Sequence, residues 1–370
     1  MRIFLDNAST TRVLDCVIDD ISDSMRNSYG NPSSMHFMGI ESEKILRSTR
    51  ELILEILGDS SGSVYFTSGG TESNNLAIQS LNLKSVKNVV TTSIEHASVR
   101  NCMKKLENSG VNVRYLNPSS DFDFLKENID NLIDEKTDFI SMMHVNNEVG
   151  VILPLNYIAE VRNKKCPNAI FHVDAVQSFY KLPIDVKKLG IDFLSFSAHK
   201  IHGPKGVGGL YVSKKANLNP IMFGGNQQNR IRPGTEPVEL IRGLKKVLEM
   251  RDIDKRYHHV KEINDYCRTK ILGIENIVIN SPADSSPYVL NFSVLGMKSE
   301  ILLNFLSENG ICVSSSSACT GNSRSHVLIS ANLPENRIDS AIRVSFSIFN
   351  SKDDVDKLVY YIKQAKEILN

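Results

Sequence analysis

Two side chains carry reactivity in settings that could put it to use, Lys200 and Cys319. Lys200 follows the apolar run Phe193-Leu194-Ser195-Phe196-Ser197 and precedes a stretch broken by Gly203, Pro204, Gly206 and Gly208. Apolar walls lower the pKa of a lysine, and a neutral amine can form a Schiff base with an aldehyde. Ser197 and His199 stand beside it and can hold an anion. Alone, the stretch reads equally well as a strand, a glycine-rich turn and a surface lysine. Cys319 lies in the run Ser314-Ser315-Ser316-Ser317-Ala318-Cys319-Thr320-Gly321-Asn322-Ser323. Structural cysteines sit among apolar neighbours, and this one does not. A thiol in such a loop can attack a bound ligand or carry a sulfur atom. The plainer reading is a serine-rich loop with an incidental cysteine.

These residues need elements to position them. Compact apolar runs predict strands at Val64–Thr67, Val89–Thr92, Val111–Leu116, Phe139–Val145, Ile170–Val173, the run before Lys200, and Gly209–Val212. Helical periodicity lies between most of them, for example over 14–25, 39–57 and 155–164. Strands alternating with helices predict an α/β fold whose seven-stranded, mainly parallel sheet is covered on both faces. Ligands bind beyond the carboxyl ends of such strands. Those ends deliver Thr71, then His96, Asn147, Asp174 with Gln177, and Ser197-His199-Lys200. Ser68-Gly69-Gly70-Thr71 opens a helix, where free N–H groups and the helix dipole suit a phosphate, although an ordinary capped helix start explains the turn as well. A highly charged helical stretch over 238–272 then bridges to a smaller α+β region. The expected division is a large domain over 15–250 and a small one formed by 1–14 and 251–370.

Composition narrows the classes. The formal net charge is +1, which gives no reason to expect nucleic acid or an anionic membrane as a direct partner. No apolar run reaches membrane-spanning length, and the N-terminus starts directly on a short strand. The six cysteines form no C-x-x-C pair, so a reducing cytoplasm is expected. No histidines and cysteines show zinc-like spacing, and the glycines near Lys200 do not follow G-x-G-x-x-G, so neither a metal nor a nucleotide is expected.

Taken together, the ordered blocks resemble the pyridoxal-phosphate (PLP) cysteine desulfurases of the class V aminotransferase group. The blocks are Leu5-Asp6-Asn7-Ala8-Ser9-Thr10-Thr11, Gly30-Asn31-Pro32-Ser33-Ser34, Phe66–Asn75, Glu95-His96, Met143–Gly150, His172–Gln177, Ser195–Lys200 and the loop ending Ala318-Cys319-Thr320. The histidine–lysine block fits the wider group, and the Ser-Ala-Cys-Thr loop narrows it to desulfurases. The resemblance implies a PLP-transferase fold with Lys200 holding pyridoxal 5'-phosphate covalently. It implies Asp174 against the pyridinium nitrogen and His96 stacked on the ring and moving protons. Asn147 and Gln177 would lie near the phenolic oxygen. Gly70, Thr71, Ser197 and His199 would hold the phosphate. Thr235 would reach the phosphate of a partner subunit, making a homodimer, and Arg343 together with Asn147 would bind the substrate carboxylate, Arg343 as a bidentate fork.

The implied reaction converts L-cysteine to L-alanine and leaves a persulfide on Cys319, which passes its sulfur to an acceptor protein. Ser316 stands where the family usually has glycine, Pro233 where it has serine, and Val176 in place of a frequent threonine. The segment after Cys319 is about two residues shorter than in the housekeeping iron–sulfur enzymes, and the sequence ends at Asn370 without their C-terminal extension. These departures leave open whether the acceptor is an iron–sulfur scaffold, a tRNA-thiolation protein or a DNA-sulfur-modification protein. A selenocysteine lyase or another class V lyase or aminotransferase is the competing reading, but an aminotransferase has no need of Cys319.

Overall fold

The structure, a computed structural model, describes residues 2–315 and 324–369. Its thirteen strands, among the described residues, are β1 (Ile3–Phe4), β2 (Ser63–Thr67), β3 (Asn88–Thr92), β4 (Asn112–Leu116), β5 (Phe139–Met143), β6 (Ile170–Asp174), β7 (Phe193–Ser197), β8 (Gly208–Val212), β9 (Ile277–Ile279), β10 (Val289–Val294), β11 (Ile311–Cys312), β12 (Ser314–Ser315) and β13 (Ala341–Ser345).

The largest sheet has seven strands in the order β2-β8-β7-β6-β5-β3-β4, the number and pattern expected. Pairings among β7, β6, β5, β3 and β4 are parallel. β8 pairs antiparallel with both β7 and β2, so it runs against the other six. The carboxyl ends of β2, β3, β5, β6 and β7 therefore open on one edge. β5 and β7 are buried along their whole length, which is why they read as unbroken apolar runs. Helices Asp15–Asn27, Phe37–Leu57, Gly70–Gln79, Ala97–Asn108, Leu155–Lys165 and Val238–Glu249 accompany this sheet.

A second sheet, β12-β13-β10-β9, is antiparallel throughout. Its core joins Leu290, Phe292, Ile342 and Val344 to Val260 and Cys267 of the helix Ile253–Leu272 and to Leu358 and Ile362 of the helix Lys352–Leu369. The N-terminus belongs to this cluster. Ile3 and Leu5 are buried in it, and β1 pairs in parallel with β11. Val327, Leu328, Ala331, Leu333 and Ile338 pack instead into the core of the large sheet. Among the described residues no helix is long and apolar enough to cross a membrane.

Two local expectations change. The helical stretch over 238–272 is two helices, Val238–Glu249 and Ile253–Leu272. Arg251 between them has φ +48°, a left-handed conformation with no glycine to mark it in the sequence. The strand predicted to Val145 ends at Met143, and Val145 instead makes an isolated bridge with Ile152.

Candidate active site

The strand ends surround a cavity of about 310 Å³. Gly70, Thr71, His96, Asn147, Asp174, Gln177, Ser197, His199, Lys200 and Arg343 all line it. A larger cleft of about 720 Å³, walled by such residues as Leu57, Leu153, Phe179 and Ile184, contains none of the expected site residues. Chemistry rather than size therefore selects the smaller one. Thr235 is exposed and is not among the residues lining the cavity. Cys319, with the run 316–323 that holds it, lies outside the described residues.

Lys200 sits on a short turn, Ala198–Lys200, directly after β7. Its Nζ donates to the carbonyls of Ala8 at 2.6 Å and Ser9 at 2.8 Å. The N-terminal segment thus lines the cavity through Ala8 and Ser9, and Gln177 Nε2 donates to the same Ala8 carbonyl at 2.9 Å.

Asp174 ends β6. Its Oδ2 accepts from Asn74 Nδ2 at 2.7 Å, and its Oδ1 accepts from the Val176 amide at 2.9 Å. Asn74 Nδ2 also donates to Ser98 Oγ at 2.9 Å, and Ser98 Oγ lies 2.9 Å from His96 Nδ1. The Ser98 amide donates to that same Nδ1 at 3.2 Å. With Nδ1 accepting, the neutral ring carries its proton on Nε2. Desolvation lowers the His96 pKa; Lys200 adds to the fall and Asp174 opposes it. Asn74 and Ser98 line the cavity and contact Asp174 and His96, and strand-end reasoning missed them. Asn74 sits four residues after Gly70 on the helix Gly70–Gln79, so the two share a face, and that spacing was the available signal.

The turn at Gly69-Gly70 approaches the sheet closely. A Cβ on Gly70 would lie 2.4 Å from Val176 Cγ2, and one on Gly208 would lie 2.5 Å from the Phe196 carbonyl and 2.7 Å from Gly69 Cα. Beside this turn Ser197 Oγ is buried without a hydrogen-bond partner, as is Gln177 Oε1. His199 Nδ1 is 3.1 Å from Thr10 Oγ1. Burial, aided by Lys200, Lys205 and Lys181, holds the His199 pKa at about 4, so the ring is neutral near pH 7.

Asn147 lies within a locked turn. Asn146 Oδ1 accepts from the Glu148 and Val149 amides, and its Nδ2 donates to the Ile94 carbonyl. Arg343 comes from β13 of the other sheet, so both sheets build the site. The expected carboxylate-binding fork of Arg343 is engaged within the chain, by Asp6, Ser9 and the Asn147 carbonyl.

With this geometry in view, the comparisons are specific. The family model for aminotransferase class-V matches residues 3–358, and the chain belongs to that family. It is 38% identical to a putative cysteine desulfurase IscS 1 of Bacillus subtilis (strain 168), over 96% of each chain. Among solved structures, it superposes on a NifS-like protein with a TM-score of 0.91 at 34% identity, covering 100% of this chain and 99% of that one. It also matches a structure described as SspA in complex with cysteine, with a TM-score of 0.82 at 32% identity, covering 95% of this chain and 100% of that one. The chain is accordingly a PLP-dependent enzyme, and its relatives are cysteine desulfurases.

Proposed function

We propose that the chain takes sulfur from L-cysteine, releases L-alanine and holds the sulfur as a persulfide on Cys319 before passing it to an acceptor protein. The balance is simple. The C–S bond of cysteine breaks, an S–S bond forms on Cys319, and the hydrogens of the two thiols end on the alanine methyl group and the persulfide. The observation that carries the reading is the convergence of Lys200, Asp174, His96 and Arg343 on one cavity, in a chain whose relatives are desulfurases.

The residues fit PLP. The buried, unpartnered Ser197 hydroxyl beside the amide end of the helix Gly70–Gln79 suits a phosphate, with Gly70, Thr71 and neutral His199 completing the cradle. Asp174, fixed by two donors, suits a ring nitrogen, and Gln177 and Asn147 suit the phenolic side. PLP supplies an electron sink for the substrate's α-carbon when bound. Lys200 Nζ would move the α-proton, with His96 Nε2–H as a second proton carrier. Asn147 and Arg343 would orient the carboxylate.

The flanks of the Cys319 segment support its assignment. Ser314 faces Arg343 in the β12–β13 ladder. Ser325 Oγ donates to Glu148 Oε2 at 2.5 Å, and His326 Nε2 to the Glu95 carbonyl beside His96 at 3.0 Å. A homodimer is part of the proposal: Thr235 and the large apolar side chains of Tyr29, Met35, Phe37 and Phe223 are exposed, and a partner subunit would cover such surfaces. So is the division into 15–250 and 1–14 with 251–370, which the apolar cluster joining Ile3 and Leu5 to Val260, Leu290 and Val344 supports, with Val327–Ile338 packing across it onto the large sheet. The free, unbridged state of the described cysteines fits a cytoplasmic setting. Cys319→Ser is the test. It should retain PLP and lose persulfide and sulfide formation from L-cysteine; sulfide release at the wild-type rate would remove Cys319 from the mechanism.

A further inference from the structure

Arg343 is read above as the group that binds the substrate carboxylate, and this inference rests on that reading. A guanidinium offers five N–H donors. A carboxylate can grip it side by side on two edges, Nε with Nη2 or Nη1 with Nη2, and both edges use Nη2. In this chain Nη2 is fully engaged. It donates to Asp6 Oδ1 and to Ser9 Oγ, each at 2.7 Å. Ser9 Oγ in turn donates to Asp6 Oδ1 at 2.8 Å, closing a triangle. Nη1 donates to the Asn147 carbonyl at 2.9 Å, and Nε is buried without a partner. The donors left over, Nε–H and one Nη1 proton, share no edge, so one carboxylate cannot span them.

The pair is shielded, with the Arg343 and Asp6 side chains 6% and 19% exposed, so the attraction is little screened by solvent. Asp6 is also held in place. It bridges to Ser345, and the next residue, Asn7, donates from Nδ2 to the Ser345 carbonyl at 2.8 Å. Its neighbours Ala8 and Ser9 accept from Lys200 Nζ. The segment that occupies the arginine therefore also occupies the reactive amine.

We propose that Asp6 is a specificity-determining residue: an internal carboxylate that holds the Arg343 fork, with Ser9, until a ligand's own carboxylate takes its place. The arginine then discriminates by exchange. A ligand with a free carboxylate replaces the Asp6 side chain on the guanidinium. An ester or amide of the same shape leaves the fork closed.

The test uses the holoenzyme and 3-mercaptopropionate, a carboxylate with a thiol but no amine, so that no condensation with an aldehyde complicates binding. Calorimetry reads its Kd. Asp6→Asn keeps the size of the side chain and removes its charge, and the Kd should fall about tenfold. Ser9→Ala frees one Nη2 proton and should lower the Kd about twofold to threefold, which keeps the proposal testable if Asp6→Asn does not fold. Arg343→Ala should abolish binding in any background. If Arg343→Ala loses binding while Asp6→Asn and Ser9→Ala bind no better than wild type, Asp6 orients the arginine rather than competing for it, and the proposal is overturned. If Arg343→Ala binds as wild type does, the reading of Arg343 itself fails.

Discussion

The carboxyl edge of the seven-stranded sheet and the interior of the four-stranded sheet are both buried and both polar, but they treat hydrogen bonds differently. Around Asn280 every side-chain group has a partner. Its Nδ2 donates to Asn291 Oδ1 and Ser293 Oγ, both at 2.8 Å, and its Oδ1 accepts from Arg337 Nη2 at 2.8 Å. Ser293 Oγ donates on to the Arg337 carbonyl at 2.6 Å. At the sheet edge, Ser197 Oγ, Gln177 Oε1 and Asn74 Oδ1 are buried and unpaired. A satisfied network specifies a core, whereas unmet capacity gathered at one edge marks where a polar ligand belongs.

Substitution can break that contrast. Asn280→Ala should lower folding stability by about 1–3 kcal/mol at every pH, because it strands Arg337 and Asn291 together. PLP affinity should not change. Denaturant melts with parallel cofactor titrations would check both, and a loss of affinity without a loss of stability would reverse the assignment.

Glu95 sharpens the comparison by pH. It is buried, its Oε1 accepts from Thr92 Oγ1 and the Met143 amide, and its Oε2 has no partner. Burial raises its pKa from 4.5 to about 8. The folded chain keeps a proton that the unfolded chain releases, so this group's contribution to stability falls as pH rises from about 4.5 to about 8. Glu95→Gln removes the term. The stability of the variant relative to wild type should climb across that window by up to about 1.4 kcal/mol per pH unit. A difference that stays flat with pH would mean the carboxyl is ionised.

The smallest effect on folding belongs to Ser197→Ala. Its hydroxyl has no partner in the folded chain, so cofactor-free stability should stay within about 0.5 kcal/mol of wild type. PLP should bind about tenfold more weakly. Unchanged PLP binding would take Ser197 out of the phosphate cradle.

Much of this was legible because a parallel sheet turns sequence order into spatial convergence. Lys200, Asp174, His96 and Asn147 each follow an apolar run, and one edge collects them. The reversed direction of β8 was not readable, since Gly208–Val212 looks like any other buried strand. Asn74 and Ser98 were hidden because polar residues near a helix start read as ordinary capping. Asp6 was hidden because its contact with Arg343 spans 337 residues of sequence and leaves no local pattern. The break at Arg251 lacks the glycine that usually signals a left-handed residue.

The central claim is that Lys200 anchors a PLP site acting on L-cysteine. Its most direct test is the visible absorption of the purified protein before and after L-cysteine, with sulfide and alanine assayed in the same tube and Lys200→Ala alongside. The wild type should show a cofactor band that shifts on adding L-cysteine, with sulfide and alanine both formed. Lys200→Ala should lack that band. An absent wild-type band after added PLP, or an identical spectrum in Lys200→Ala, would contradict it.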